Sequence, residues 1–123
     1  MALNKNLISG STTLLILRLL EEKDLYGYEM IELLRQRSKN VFELKAGTLY
    51  PLLHSLEVKG FLTSYESEAN GKIRKYYQIT KSGRRFLREQ KEEWQTYAQA
   101  VANVLNTGMQ AAASRFIATK VRR

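Results

Sequence analysis

The stretch "AGTLYPLLHSLEVKGFL", residues 46–62, decides the fold. Leu49, Leu52, Leu53 and Leu56 fall at i, i+3, i+4 and i+7, a spacing that gathers them on one side of a helix. Proline has no N–H and fits best in a first turn, so Pro51 predicts a cap at Gly47 or Thr48. Gly60 predicts the end of the helix, because glycine accepts the left-handed conformation common just past a C-terminus. If the leucines face a core, Tyr50, Pro51, His54, Ser55 and Val58 lie outward, with Thr48 near the helix start.

Upstream, residues 9–23 open with serine and threonine suited to capping and then turn densely apolar, which predicts a helix buried on more than one side. In "LYGYEMIELLRQRSKN", residues 25–40, Tyr26, Met30, Leu33 and Leu34 mark one apolar face of a second helix ending near Lys39 or Asn40. Downstream, bulky and β-branched residues flank Asn70-Gly71, the pair that favours a tight hairpin turn, and predict antiparallel strands over 62–67 and 73–79. Tyr76 and Tyr77 alternate along the second strand, so one belongs to the core and the other to a surface.

Thr80 is placed to cap a last helix over 81–106. Along it Leu87, Trp94, Tyr97, Val101 and Val104 form a heptad seam with Gln90 in an intervening position. A small domain has little left to cover such a seam, which predicts packing against a second copy of the chain.

Three helices followed by a two-stranded hairpin is the element order of a winged helix-turn-helix. The expected class is mainly α with a small β-hairpin. It divides into a winged helix-turn-helix DNA-binding domain, 1–79, a long C-terminal dimerisation helix, 80–108, and a basic tail, 109–123, readable as a short amphipathic helix or as a frayed end.

The charge pattern supports a polyanionic partner. The 123 residues carry a net charge of +8, yet residues 1–71 are close to neutral. Residues 72–91 hold Lys72, Arg74, Lys75, Lys81, Arg84, Arg85, Arg88 and Lys91 against Glu89 alone. A field this local points to nucleic acid first and anionic lipid second. On that reading Thr48, Tyr50, Pro51, His54 and Ser55 face a major groove, while Lys72, Arg74 and Lys75 on the wing meet phosphates or a minor groove.

"YGYEMIELL", "GTLYPLLHSLEVKGFL" and "RKYYQITKSGRRFL" occur in an order and spacing that closely resemble the PadR family of bacterial transcriptional regulators, over about residues 10–94. The resemblance implies a winged helix-turn-helix repressor that dimerises through its first and last helices and releases promoter DNA when a small molecule binds. It implies that Thr48, Leu49, Tyr50 and Pro51 begin the recognition helix, that Tyr50 touches the DNA backbone, and that Arg74 and Lys75 face DNA. The chain departs from the family's pattern at Ile73 and Ser55, where members often carry a basic residue; Lys72 and Lys59 lie nearby. Trp94 matches the position from which drug-sensing members stack a tryptophan on flat aromatic ligands. Trp94, Tyr97 and Val101 therefore read either as an effector pocket or as a dimer seam.

The expected partners are double-stranded DNA with a near-palindromic operator, a second copy of the chain and an aromatic or hydrophobic effector. The rival class is a winged helix used for nucleic-acid packaging or protein contacts, without an effector. Catalysis is not expected: no glycine-rich phosphate loop, paired nucleophile or histidine cluster is present, and Glu21-Glu22 and Glu92-Glu93 read as solvated faces. With no cysteine and one histidine, neither a metal site nor a cofactor is expected. The longest apolar run, "LLILRLL" at 14–20, falls far short of the roughly 20 residues that span a bilayer, so a cytoplasmic protein is expected, with no membrane partner.

Overall fold

A computed structural model of the chain describes residues 5–107, with side chains from residue 11 onward. The elements run α1 (Lys5–Glu22), β1 (Leu25–Tyr26), α2 (Gly27–Arg37), α3 (Ala46–Val58), β2 (Leu62–Ala69), β3 (Lys72–Ile79) and α4 (Lys81–Leu105). The described residues form two compact units, one running to Glu89 and one from Gln90. The tail over 109–123 lies outside the described residues.

The first unit is built around one apolar core. Ile16, Leu17 and Leu20 of α1, Met30 of α2, Leu49, Leu53 and Leu56 of α3 and Leu62 of β2 are all buried within it. The leucine stripe of α3 therefore faces inward as its spacing predicts, with Leu52 half-buried at its margin. Tyr77 and Ile79 close the core from β3, while Tyr76 points the other way.

Local chemistry sets most element ends. After α3, Gly60 takes φ +82°, its N–H donates to the Glu57 carbonyl at 2.9 Å, and the Phe61 N–H donates to the Leu56 carbonyl at 2.9 Å. This pair of bonds is a Schellman stop, which satisfies carbonyls that the helix would leave orphaned. Asn70 and Gly71 both adopt positive φ, 53° and 77°, as a two-residue hairpin turn between twisted strands requires. Thr80 caps α4, its hydroxyl accepting from the Gly83 N–H at 2.9 Å and donating to the Gly60 carbonyl at 2.7 Å.

Three expectations need correction. The sheet has three strands in the order β1-β3-β2, because Leu25 and Tyr26 pair with Tyr77 and Tyr76 along the far edge of β3. Helix α1 starts at Lys5, and Ser11 and Thr12 are buried inside it instead of capping it. Helix α3 starts at Ala46 with Lys45 as its cap, so Pro51 falls inside the helix. The proline is tolerated there because it is exposed: the carbonyl it cannot pair with, that of Gly47, is on a solvent-facing residue.

Helices α1 and α2 are joined at their ends by charge. Arg37 makes a two-pronged contact with Glu22, at 2.6 and 2.7 Å, and Arg18 adds a second ion pair at 2.9 Å. The hydrogen bond from Arg37, aided by its charge and that of Arg18, holds the Glu22 carboxyl below the ordinary 4.5. A depressed folded-state value stabilises the fold above the unfolded value, and that contribution is lost as pH falls through the folded one. Arg37→Gln is therefore expected to lower the urea midpoint at pH 7, with the difference from wild type closing on acidification well below 4.5.

Candidate DNA-binding surface

The outward face of α3 carries the residues expected there. Thr48, Tyr50, Pro51 and His54 are exposed and Ser55 is half-buried. Tyr50 is 48% exposed and its ring lies against Gly27 at the start of α2. A Cβ at Gly27 would come within 2.7 Å of the ring carbon Cζ, so the glycine leaves room for the tip of this tyrosine. Helix α2 thus supports α3 both through the core and from beneath the exposed face. Tyr26 and Glu29 fix where α2 begins, the Glu29 carboxylate accepting from the Tyr26 N–H at 3.1 Å.

The wing presents two chemically different faces. Residues directly opposite in an antiparallel pair share a face, and neighbours along a strand alternate. Lys75 pairs with Glu66 and Tyr77 with Ser64, so these four lie on the core side of the sheet. Tyr76 stands between Tyr26 and Tyr65 in register, and the three rings form a cross-strand row on the outer side. Tyr65 and Tyr76 stack at 5.8 Å, Tyr26 meets Tyr76 edge-on at 5.4 Å, and the Arg74 guanidinium lies 4.5 Å over the Tyr26 ring. The Tyr65 hydroxyl donates to Asp24 at 2.6 Å, and that bond raises the phenol above its usual range by favouring the protonated form.

Arg74 and Lys75, which the family pattern would turn toward DNA together, therefore occupy opposite faces. Lys75 lies 3.9 Å from Glu57 of α3 and 5.5 Å from the centre of the Tyr77 ring. Burial pushes the Tyr77 phenol up, and Lys75 partly opposes that shift. Lys72, beside the turn, and Ile73 are exposed.

Sequence reading placed Tyr26 on the apolar face of the second helix, whereas it precedes that helix as its N-cap and pairs with Tyr76 in β1; it missed Glu57, Tyr65 and Gly27. Their roles depend on partners in other elements, and the clue available was the bulky-residue pair Leu25-Tyr26 just before a glycine.

In the second unit the seam of α4 is open. Trp94 is 46%, Tyr97 68%, Val101 38% and Val104 75% exposed. Leu87, the first residue of the expected heptad, belongs instead to the core of the first unit. Among the described residues no helix is long and apolar enough to cross a membrane, and no three histidine, cysteine or carboxylate side chains converge on a metal site.

A helix-turn-helix with a three-stranded wing, whose second helix buries its leucines and leaves its other face exposed, is the fold of a DNA-binding regulator. The profile of the transcriptional regulator PadR-like family matches residues 16–89. The chain belongs to this family of non-enzymatic transcriptional regulators. It is 40% identical over 90 residues to an uncharacterised protein of Lysinibacillus sphaericus, covering 72% of this chain and 83% of that one. It is 35% identical over 69 residues to the transcriptional regulator Rv3488 of Mycobacterium tuberculosis, covering 56% of this chain and 64% of that protein. The crystal structure of a PadR family transcriptional regulator from Eggerthella lenta superposes with a TM-score of 0.74 at 35% identity, over 84% of this chain and 88% of the other.

Proposed function

We propose that the protein is a sequence-specific repressor that binds a near-palindromic operator as a homodimer and is released by an aromatic or hydrophobic small molecule. The observation that carries this reading is the exposed face of α3, Thr48, Tyr50, Pro51 and His54, in a chain whose wing strand β3 carries Lys72, Arg74 and Lys75. An α-helix fits a major groove, where side chains can discriminate bases, whereas lysine and arginine on phosphates set affinity and register. A wing with Arg74 on one face and Lys75 on the other suits insertion into a minor groove, whose two walls can each meet one cation. Residues 1–79 are read as the DNA-binding domain and 80–108 as the dimerisation helix, with Trp94, Tyr97 and Val101 lining the contact between copies or an effector pocket within it. Such a regulator works in the cytoplasm, where bacterial DNA lies.

The test is fluorescence anisotropy with duplex DNA from upstream of the protein's own gene beside a scrambled duplex, titrated at several salt concentrations. The expected result is preference for the upstream duplex by about a thousandfold, with a steep salt slope. Equal binding to both would favour a packaging role, since phosphate contacts alone carry little sequence preference. With specificity established, quenching of Trp94 fluorescence by planar aromatic compounds, together with loss of DNA binding, tests the effector.

A further inference from the structure

We infer that the first two turns of α4 carry a second DNA-binding surface, separate from α3 and the wing, which grips the phosphates of any sequence through Lys81, Arg84, Arg85 and Arg88. The inference rests on the DNA-binding reading above and extends it to charges which that reading leaves unused. The four residues fall at i, i+3, i+4 and i+7, so they share one side of the helix, and all four are exposed. That side lies about 130° around α4 from Gly83 and Leu87, which are buried against the first unit.

This stripe is where the uncompensated charge of the first unit sits. Among the described residues none of its four cations makes an ion pair, and Glu89, one turn beyond Arg85, neutralises none of them. The carboxylates at the end of α1 are engaged elsewhere, Glu22 with Arg18 and Arg37 and Glu21 with Arg18 at 3.7 Å, so Arg84 reaches the Glu21 carbonyl, at 3.5 Å. The wing, by contrast, is nearly balanced. Lys72, Arg74 and Lys75 share its two strands with Glu66 and Glu68, and Glu57 of α3 lies 3.9 Å from Lys75. The outward residues of α3, Thr48, Tyr50, Pro51 and His54, bring no fixed charge.

Position separates the stripe from the wing tip. Strand β3 runs from Lys72 to Ile79, roughly 25 Å at about 3.3 Å per residue, and α4 begins at its far end, with Arg84 beside α1. Chemistry then selects the partner. From residue 81 to 88 the helix rises roughly 10 Å, a length over which one strand of a duplex presents about three phosphates. Three of the four cations are arginine, whose forked donors match phosphate oxygens. An anionic bilayer fits less well, because a helix lying on lipid needs an apolar face to submerge, and here that face, Gly83, Phe86 and Leu87, is packed on the protein's own core. Binding without sequence preference is almost wholly a matter of cations on phosphates, so it follows the uncompensated charge to α4, whereas reading bases requires α3 in a groove. The two modes use different residues, and each can be weakened without the other.

The experiment is the salt-dependent anisotropy titration on the scrambled and upstream duplexes with wild type, the pair Arg85→Gln and Arg88→Gln in one chain, and a control chain carrying Lys23→Gln and Lys39→Gln. The control removes the same charge from exposed positions on either side of α2. Glutamine sustains a helix about as well as arginine, so the α4 variant keeps its fold. On the scrambled duplex its log–log salt slope should flatten by about 1.8, two phosphate contacts at about 0.9 each, and its affinity should fall by roughly ten- to a hundredfold at about 0.1 M salt. The control should keep the wild-type slope. On the upstream duplex the α4 variant should bind as the control does, so its specificity ratio rises.

A scrambled-duplex slope that the α4 variant leaves unchanged, or that the control flattens equally, would overturn the inference. An equal loss on both duplexes would overturn it too, by making the stripe part of the α3 and wing footprint. Co-sedimentation with phosphatidylserine vesicles adds a further arm: vesicle binding that needs Arg85 and Arg88, beside a DNA slope that does not, would assign the stripe to lipid instead. A wild-type protein that binds neither duplex at low salt would overturn the DNA-binding reading and this inference with it, whereas a wild type that prefers the upstream duplex, with an α4 variant identical to it, sinks the inference alone.

Discussion

Gly83→Ala is expected to destabilise the first unit by about 1–3 kcal/mol, the usual cost of forcing an extra methyl into a filled site. At roughly 4–8 °C per kcal/mol for a domain of this size, the thermal midpoint should fall by several degrees to beyond 10 °C. Gly83 is buried in the first turn of α4, and a Cβ there would overlap the Phe61 carbonyl oxygen and come within 2.8 Å of Ile79 Cγ1. Neither obstacle can move away cheaply. The Phe61 carbonyl accepts from the Thr80 N–H at 3.0 Å, the Thr80 hydroxyl joins Gly60 to Gly83, and the Phe61 ring stacks on Phe86 at 4.4 Å. The clash therefore strikes the joint where the end of α3, the end of β3 and the start of α4 are fastened together. Gly47→Ala is the control: no atom lies within 4 Å of a Cβ there, so alanine should be neutral or stabilise helix α3. Differential scanning calorimetry of both variants would decide it, and a Gly83→Ala midpoint equal to wild type would refute the close approach.

The Thr80 cap is legible in the sequence, but the crowding at Gly83 is not, and the contrast shows where sequence reading stops. Thr80, Gly60 and Asn70-Gly71 act through bonds to residues a few positions away, so their chemistry is written locally. The leucine stripe of α3 is legible for the same reason, since its period is a property of one helix. Strand β1 escapes because two residues cannot form a strand alone; Leu25 and Tyr26 are extended because β3 offers them an edge. The start of α3 escapes because the rule for proline takes a lost hydrogen bond to be costly, while on the exposed side water can satisfy the free carbonyl.

Much the same division runs through the candidate surface. Thr48, Tyr50, Pro51 and His54 could be placed outward once the leucines were placed inward, and Ser55 ends half-buried at the margin. What makes room for the Tyr50 ring, the bare backbone of Gly27, comes from another helix and left no pattern in α3 itself. Arg74 and Lys75 are adjacent in sequence, so charge counting treats them as one patch, but a strand sends them to opposite faces and to different partners. Heptad arithmetic has a similar blind spot: it continues through Leu87, although that side chain is already buried in the chain's own core.

If the chain pairs as proposed, Val101→Glu is expected to turn the homodimer into monomers and to cut affinity for the proposed operator by more than a hundredfold. Val101 is the least exposed of the open apolar residues around it, at 38%, with Trp94, Tyr97 and Val104 on neighbouring positions of the same helix. Four large apolar side chains left in water along one helix is more than isolated surface residues would explain, and a second copy covering them removes that area from solvent. In the proposed two-fold pairing residue 101 of one chain would lie close to the seam of the other, so a glutamate would bury two carboxylates without partners, a cost of several kcal/mol. A monomer has one recognition helix. It cannot bridge half-sites spaced about one turn, roughly 34 Å, and retains only the affinity of a single half-site. Sedimentation equilibrium reads the first effect and anisotropy at fixed salt the second. Because Val101 lies in the second unit and far from Gly83 in sequence, the variant should melt near wild type at low concentration. Loss of dimer and operator binding with the fold retained would assign the seam to association. An intact dimer would overturn that assignment, and would leave the exposed Trp94 and Tyr97 rings to the effector alone.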